Sequence, residues 1–524
     1  MRPKKIKTVP SIVTTVIFSA TLGACGGGGS SSTATSSNPG SGSAVPPAAP
    51  TSYTIGGTAI GLNGGVLKLQ NNGTDTQTLT SEGGFQFSSI TSGSPYSVAV
   101  SQHPAARQCN VANGSGNATA NVNNVSVSCS PGQVSTLYSF TGANGDGQYP
   151  EAGLAQDSAG NLFGTTYGGG SAGPGTVFQL KRNADGTYAS PVTLYAFTGA
   201  GAGGTTLNAG LIVDRAGNLI GTTNTGGSSN AGTIFELTRN ADGSYSPAVT
   251  LHSFTGVGTD GAYPDASLVQ DGAGNLFGTT IQGGSANAGT VFELARKSDG
   301  TYATPTTLYS FTGTASDGKA PEAGLVLDSA GNLFGTTSAG GAANSGTVFE
   351  LVRGSNGTFG PAVVLHSFSG TGSDGAIPNS PLVADAAGNL FGTSSAGGAA
   401  SLGTVFMLRR SGDGTYTPAT TLHSFAGGSA DGAYPDAGLV LDGAGNIFGT
   451  TNAGGSANSG TVFEIRRNSD GTYASAISLL HVFTGVGSDG NAPSAGLILD
   501  STGNLLGTTN MGGTAGLGTV FVLN

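Results

Sequence analysis

Seven copies of the dipeptide Gly-Asn stand in or close to the frame AGN-L-F-G-T-T, at Gly160, Gly217, Gly274, Gly331, Gly388, Gly445 and Gly503. Successive copies lie 57 residues apart five times and 58 residues apart once. A period of this length with strand-like content demands a radial or stacked array of β units, because one unit cannot bury its apolar face alone. Three ordinary domains, which 524 residues suggest at ~150 residues each, are therefore excluded. The 94 glycines and the 9% of charged side chains would otherwise suggest a low-complexity chain. They recur at fixed repeat positions between apolar runs, so they are turn residues. An apolar content of 37%, with 23 Phe and 14 Tyr, supplies the shared core.

Residues 1–24 have the form of an export leader. Arg2, Lys4, Lys5 and Lys7 precede an apolar stretch from Val9 to Leu22 that is too short for a stable membrane span. Leu22-Gly23-Ala24-Cys25 resembles the lipobox of bacterial lipoproteins, with Gly23 where Ala or Ser is commoner. The resemblance implies cleavage before Cys25, acylation of Cys25 and, with Gly26 rather than Asp after it, sorting to the outer membrane, facing the periplasm or the cell surface. An ordinary secretory signal is the alternative. Removing residues 1–24 takes four bases and no acid, leaving 14 bases against 28 acids, a net charge of −14. So acidic a surface repels nucleic acid and anionic lipid, which excludes DNA or RNA as the main partner. In an oxidising compartment the two other cysteines, Cys109 and Cys129, can pair with each other.

Residues 25–51 are rich in Gly, Ser and Pro and read as a tether. Its reach is about 25 to 30 Å at ~5 to 6 Å times the square root of its length. Residues 52–130 carry short alternating runs at 53–55, 66–69, 84–87, 96–100 and 122–127, separated by Asn-Gly and Ser-Gly turns. They predict a small antiparallel sandwich resembling the immunoglobulin-like or carboxypeptidase-regulatory-like modules of bacterial surface proteins. A Cys109–Cys129 bridge would stabilise it by roughly 3 kcal/mol.

The repeat region spans 134–524. Around Gly331 the sequence predicts strands at 324–328, 332–337, 346–351 and 363–368, with a tight Asp328-Ser329-Ala330-Gly331 turn between the first two. Four strands per unit, seven units and a long connection between units predict an all-β fold, a seven-bladed β-propeller preceded by the small sandwich. The region opens on a lone fourth-type strand, 135–140, and closes on a third-type strand, 518–523. Pairing of the two would complete the last blade and hide two edges. A strand solenoid with open ends is the competing architecture. The frame AGLVxDxAGNLFGTTxxGGxxxxGTVFEL, followed by DGTY and TLHSF, resembles the GloVer tandem repeat of bacterial exported proteins, whose members carry differing surface anchors. The hairpin is also similar to that of NHL-type propeller repeats, which implies that 324–328 is innermost. Neither resemblance brings an assigned chemistry to residues here.

No catalytic constellation is visible: no G-x-S-x-G nucleophile elbow leading from a strand into a helix, no HExxH helix, no P-loop and no Cys/His cluster appears. His252, His366, His423 and His481 occupy one repeat position, held elsewhere by Tyr138, Tyr195 and Tyr309. Equivalent positions on outer strands lie too far apart to share a metal, so packing between blades is their expected role. Asp157, Asp214, Asp271, Asp328, Asp385, Asp442 and Asp500 occur in every hairpin turn and are expected to be structural. Asp146, Asp260, Asp317, Asp374, Asp431 and Asp489 precede Gly in the loops between blades, while unit two has Gly203-Gly204-Thr205-Thr206. These six are the candidates for a ligand or calcium rim around one channel mouth, although no dense D-x-D-x-D-G site is present and turn formation explains them as well. The expected function is a lipid-anchored, monomeric binding or scaffold module for a protein or polysaccharide partner, without a cofactor. A propeller hydrolase or lyase using the loop carboxylates, with calcium, is the alternative, and the residues argue more against an enzyme than for one. Small polar loops offer few aromatic anchors, so single-site affinity is expected to be modest and avidity to offset it.

Overall fold

Six of the seven repeat units each fold into one four-stranded antiparallel sheet that follows chain order from the axis outward, and the seventh contributes three strands to a sheet of the same kind. The computed structural model describes residues 51–199 and 203–524, so the leader, Cys25 and most of the tether lie outside the described residues. In the fourth unit the strands are Val326–Leu327, Leu333–Thr337, Thr347–Arg353 and Phe359–Ser367. The innermost is shorter than expected, because the residues before Val326 leave the ladder to line the axis. The second strand is buried at all five positions, being covered on both faces. A Cβ on Gly335 would stand 2.6 Å from Cζ of Phe349, so the glycine of LFGTT makes room for the ring on the next strand.

The apolar core sits between units. Phe277 and Val291 of the third unit pack with Leu325, Leu333, Phe349 and Leu351 of the fourth, each buried side chain contributing about 1.5–3 kcal/mol. Phe311 meets Phe349 edge-on at 5.0 Å, a geometry that adds ~0.5–1.5 kcal/mol. The seventh unit closes on the first in the same way: Leu506 and Val520 cluster with Leu154, Leu162 and Phe178. Thr336 Oγ1 donates to the Ser380 carbonyl of the following unit at 3.2 Å, and Thr508 Oγ1 makes the equivalent bond to Ala152 at 3.0 Å. Val134–Ser139 pairs antiparallel with Thr519–Leu523 as the outer strand of the last sheet. The fold is all-β and propeller-like, and these last-to-first contacts exclude an open stack.

One tier of pairing is unforeseen. In each unit two residues of the inter-unit loop pair with two residues after the second strand, as Gly147–Gln148 does with Gly168–Gly169. Glycine-rich segments carry no period-2 pattern, so these ladders have no sequence signal.

Ahead of the ring, two four-stranded sheets share one hydrophobic cluster that includes Ile55, Leu67, Leu69, Val98, Val125 and Val127. The expected all-antiparallel pattern is corrected at one pair: Val122–Pro131 runs parallel to Ile55–Ile60 while pairing antiparallel with Arg107–Ala112. Ten residues long, this strand reaches both neighbours. Strands at Asp75–Leu79, Arg107–Ala112 and Ser115–Asn117 are additional, their polar composition hiding them from an apolar pattern. Cys109 and Cys129 face each other across the antiparallel pair and form a disulfide. The loop before Arg107 docks on the seventh unit, where the Thr502 carbonyl accepts from His103 N at 2.9 Å and the Gly503 carbonyl from Ala106 N at 3.1 Å. Gly503 has φ +97°, and a Cβ there would collide with the His103 carbonyl.

Candidate functional site

The loop aspartates lie beside the outer strands and not at the channel mouth, which corrects the expected rim. Asp260 shows why. Its Oδ2 accepts from Thr255 N at 2.8 Å and Thr255 Oγ1 at 2.7 Å, its Oδ1 accepts from Gly261 N at 3.0 Å, and His252 Nε2 lies 3.4 Å from Oδ1. Asp146 does the same with Thr141 and Tyr138 OH, Asp317 with Thr312 and Tyr309, Asp374 with His366, Asp431 with His423, and Asp489 with His481. The histidine ring and the aspartate ring, unrelated in the sequence, are thus one set of pairs eight residues apart. Burial pushes the carboxyls of Asp260 and Asp374 up, but the hydrogen bonds from histidine and hydroxyl outweigh it and hold both below the usual range.

The hairpin aspartates are local as well. Asp328 Oδ1 accepts from Ala330 N and Asn332 N, both at 2.9 Å, and Oδ2 from Asn332 Nδ2 at 2.9 Å. Among the described residues no three His, Cys, Asp or Glu side chains converge as a metal site.

The channel mouth is built from a position that the sequence left unremarked. The residue after the loop proline, or its equivalent, is Glu151, Asn208, Asp265, Glu322, Asn379, Asp436 and Ser494 in successive units, and all seven line one cavity of about 370 Å³ on the axis. No Lys or Arg lines that cavity. Burial raises the carboxyls of Glu151, Asp265, Glu322 and Asp436; the Asp265 charge pushes Glu151 and Glu322 further up, and amide or hydroxyl donors pull each back only in part. Those donors include Asn208 and Asn224 on Asp265 at 2.8 and 2.9 Å, Ser338 on Glu322 at 2.9 Å and Asn510 on Glu151 at 3.0 Å. Three ring atoms are buried without a partner: Asn208 Oδ1, Asn379 Oδ1 and Ser494 Oγ. Unsatisfied buried polar atoms cost about 1–3 kcal/mol each unless water or a ligand in the cavity supplies the missing bond.

The backbone next to this ring is strained. Tyr149, Thr206, Tyr263, Ala320, Ile377, Tyr434 and Ala492, two residues before each ring position, all have φ between 54° and 62°. For aromatic and β-branched residues that conformation costs roughly 1–3 kcal/mol, and such strain gathers at binding sites. The signal was present in the sequence as a fixed frame whose residue type changes from unit to unit.

A family model described as the Gloeobacter/Verrucomicrobia repeat matches residues 96–349 and 300–521. No curated relative matches the chain. Among solved structures, the chain is similar to a Bacteroides uniformis protein described provisionally as a 6-phosphogluconolactonase, at 15% identity, TM-score 0.42, and coverage of 66% of this chain and 88% of that one. An ancestral GH74 enzyme matches at 11% identity, TM-score 0.44, 84% of this chain and 54% of the other. The PQQ domain of pyranose dehydrogenase from Coprinopsis cinerea matches at 14% identity, TM-score 0.37, 79% and 96%.

Proposed function

The chain belongs to the Gloeobacter/Verrucomicrobia repeat family, and we propose that it is a lipid-anchored, extracytoplasmic seven-bladed β-propeller, with an immunoglobulin-like sandwich ahead of it, that binds a hydroxyl-rich glycan at its channel mouth. The observation that carries this reading is the axial ring: seven equivalent positions hold four carboxyls, two amides and a hydroxyl around one cavity, with three unpartnered polar atoms. Such a ring is rich in acceptors and calls for a ligand that brings many donors, as a sugar does. The ring is also where the otherwise near-identical units diverge. Screening the full-length protein on an array of neutral and basic oligosaccharides tests it. Binding that Asn379→Ala weakens about tenfold, the effect of one lost hydrogen bond to an orphaned group, is expected; an array without a hit removes the proposal.

The anchor is tested separately. Cys25→Ser should abolish incorporation of labelled palmitate and release the protein from membranes, whereas unchanged fractionation would leave an ordinary secretory leader. A second reading, hydrolysis or elimination on a glycan, draws on Glu151 and Glu322, two carboxyls on one cavity that burial raises above the usual carboxylate range. Loop carboxylates and calcium fit it less well, because the loop oxygens are already engaged by their own loops. Product release from the bound oligosaccharide, lost in Glu322→Gln with binding retained, would establish that reading.

A further inference from the structure

We infer that the groove between units one and two is a second sugar subsite, in which a neutral pyranose unit stacks on Tyr149 and Tyr167, so that the ligand is an oligosaccharide running from this groove into the channel. The inference rests on the glycan reading of the channel mouth. The position of Tyr167 is filled in four other units by Asn224, Ser338, Asn452 and Asn510, each of which donates to a carboxylate of the axial ring. In unit one the same position gives up that duty and exposes 44% of a tyrosine surface. Tyr149, held at φ 58°, brings a second aromatic ring to the same place, and its carbonyl accepts from Tyr167 N at 2.9 Å. Unit one alone has Tyr at both positions: unit three pairs Tyr263 with Ile281, and unit six pairs Tyr434 with Asn452.

The two side chains line a cavity of about 390 Å³ together with Gln148, Pro174, Thr205 and Thr206. Pro174 stands where other units have Ala, Ser or Leu, and Thr205-Thr206 belongs to the one loop that lacks the repeated Asp. Aromatic faces with an amide and hydroxyls at their edges match a pyranose, which has an apolar face and a polar rim. No charged side chain lines this groove, which favours a neutral unit over a uronic acid or amino sugar. Only Pro150 separates Tyr149 from Glu151 of the axial ring, so adjacent units of one chain can fill both places.

The test is calorimetric titration of the full-length protein with neutral mono- to tetrasaccharides of glucose, galactose, mannose and N-acetylglucosamine. Tyr167→Ala is expected to weaken oligosaccharide binding about tenfold, the contribution of one aromatic stack, with monosaccharide affinity unchanged and Tyr167→Phe restoring the oligosaccharide. Equal affinity of Tyr167→Ala and the unaltered protein for every oligomer overturns the subsite while leaving the channel reading intact. Oligosaccharide binding that needs Tyr167 but is indifferent to Asn379→Ala overturns the channel reading, and with it the two-site path proposed here. No binding of any sugar removes both.

Discussion

Asp260 and Asp265 stand five positions apart in one loop, yet their surroundings drive the two carboxyls in opposite directions. Asp260 is held low by His252 and Thr255, which outweigh its burial, whereas burial raises Asp265 against the pull of Asn208 and Asn224. The outer acid recurs in six units, each time satisfied by its own loop; the inner position changes from Glu to Asn to Asp to Ser around the ring. An acid that serves its own unit is repeated because every unit must fold. On the binding reading proposed above, an acid that costs its unit stability is kept because a ligand offsets the cost, and it varies because that ligand is not sevenfold symmetric.

The largest expected effect falls on the outer acid. Asp260→Ala leaves the Thr255 and Gly261 amides without their acceptor and should destabilise by about 2–3 kcal/mol in thermal or denaturant unfolding; a change below half that would break the comparison. Asp265→Asn should act in the opposite sense. A carboxyl raised on folding contributes its stability below the unfolded value, near 3.9, and loses it as pH rises through the folded value. The Asn variant should therefore melt higher than the unaltered protein at pH 7 and no higher at pH 3. Asp260 and Asp374 have lowered carboxyls, so their contribution is present above the unfolded value and disappears as pH falls through the folded one.

Smaller effects sharpen the contrast. His252→Phe keeps the edge-on contact with Phe254, 4.7 Å between centroids, and loses the bond to Asp260, for an expected cost of roughly 0.5–1.5 kcal/mol. Gly203→Asp restores the missing outer acid beneath Tyr195 in unit two. It should stabilise by about 0.5–1 kcal/mol, the worth of one recovered hydrogen bond, and a loss of stability would show that unit two forgoes the acid for a different reason.

Much of the fold is legible in the chain. The Gly-Asn period, the strand order within each unit and the pairing of Val134–Ser139 with the last strand all follow from turn chemistry and from counting strands at the two ends of the repeat region. The site is less legible. The equivalence of Glu151, Asn208 and Asp265 is visible in the repeat frame, but their convergence is not, because it depends on the short inner strands meeting at an axis. The outer acids form the stronger sequence pattern, since one residue type repeats there while the inner position varies. The partnership of His252 with Asp260 stayed hidden for a related reason: the two are eight residues apart, on a strand and in a loop, with no local pattern that joins them.

The central claim, that repeated acids hold the ring and variable ones bind, is tested most directly by measuring melting temperature and glycan affinity together for Asp260→Asn, Asp265→Asn and the unaltered full-length protein, using whichever array sugar the last binds. The account predicts that Asp260→Asn loses several degrees with affinity unchanged, while Asp265→Asn gains stability at pH 7 and loses affinity about tenfold. The reverse assignment, with affinity lost at the outer acid and melting temperature lost at the inner one, would contradict it.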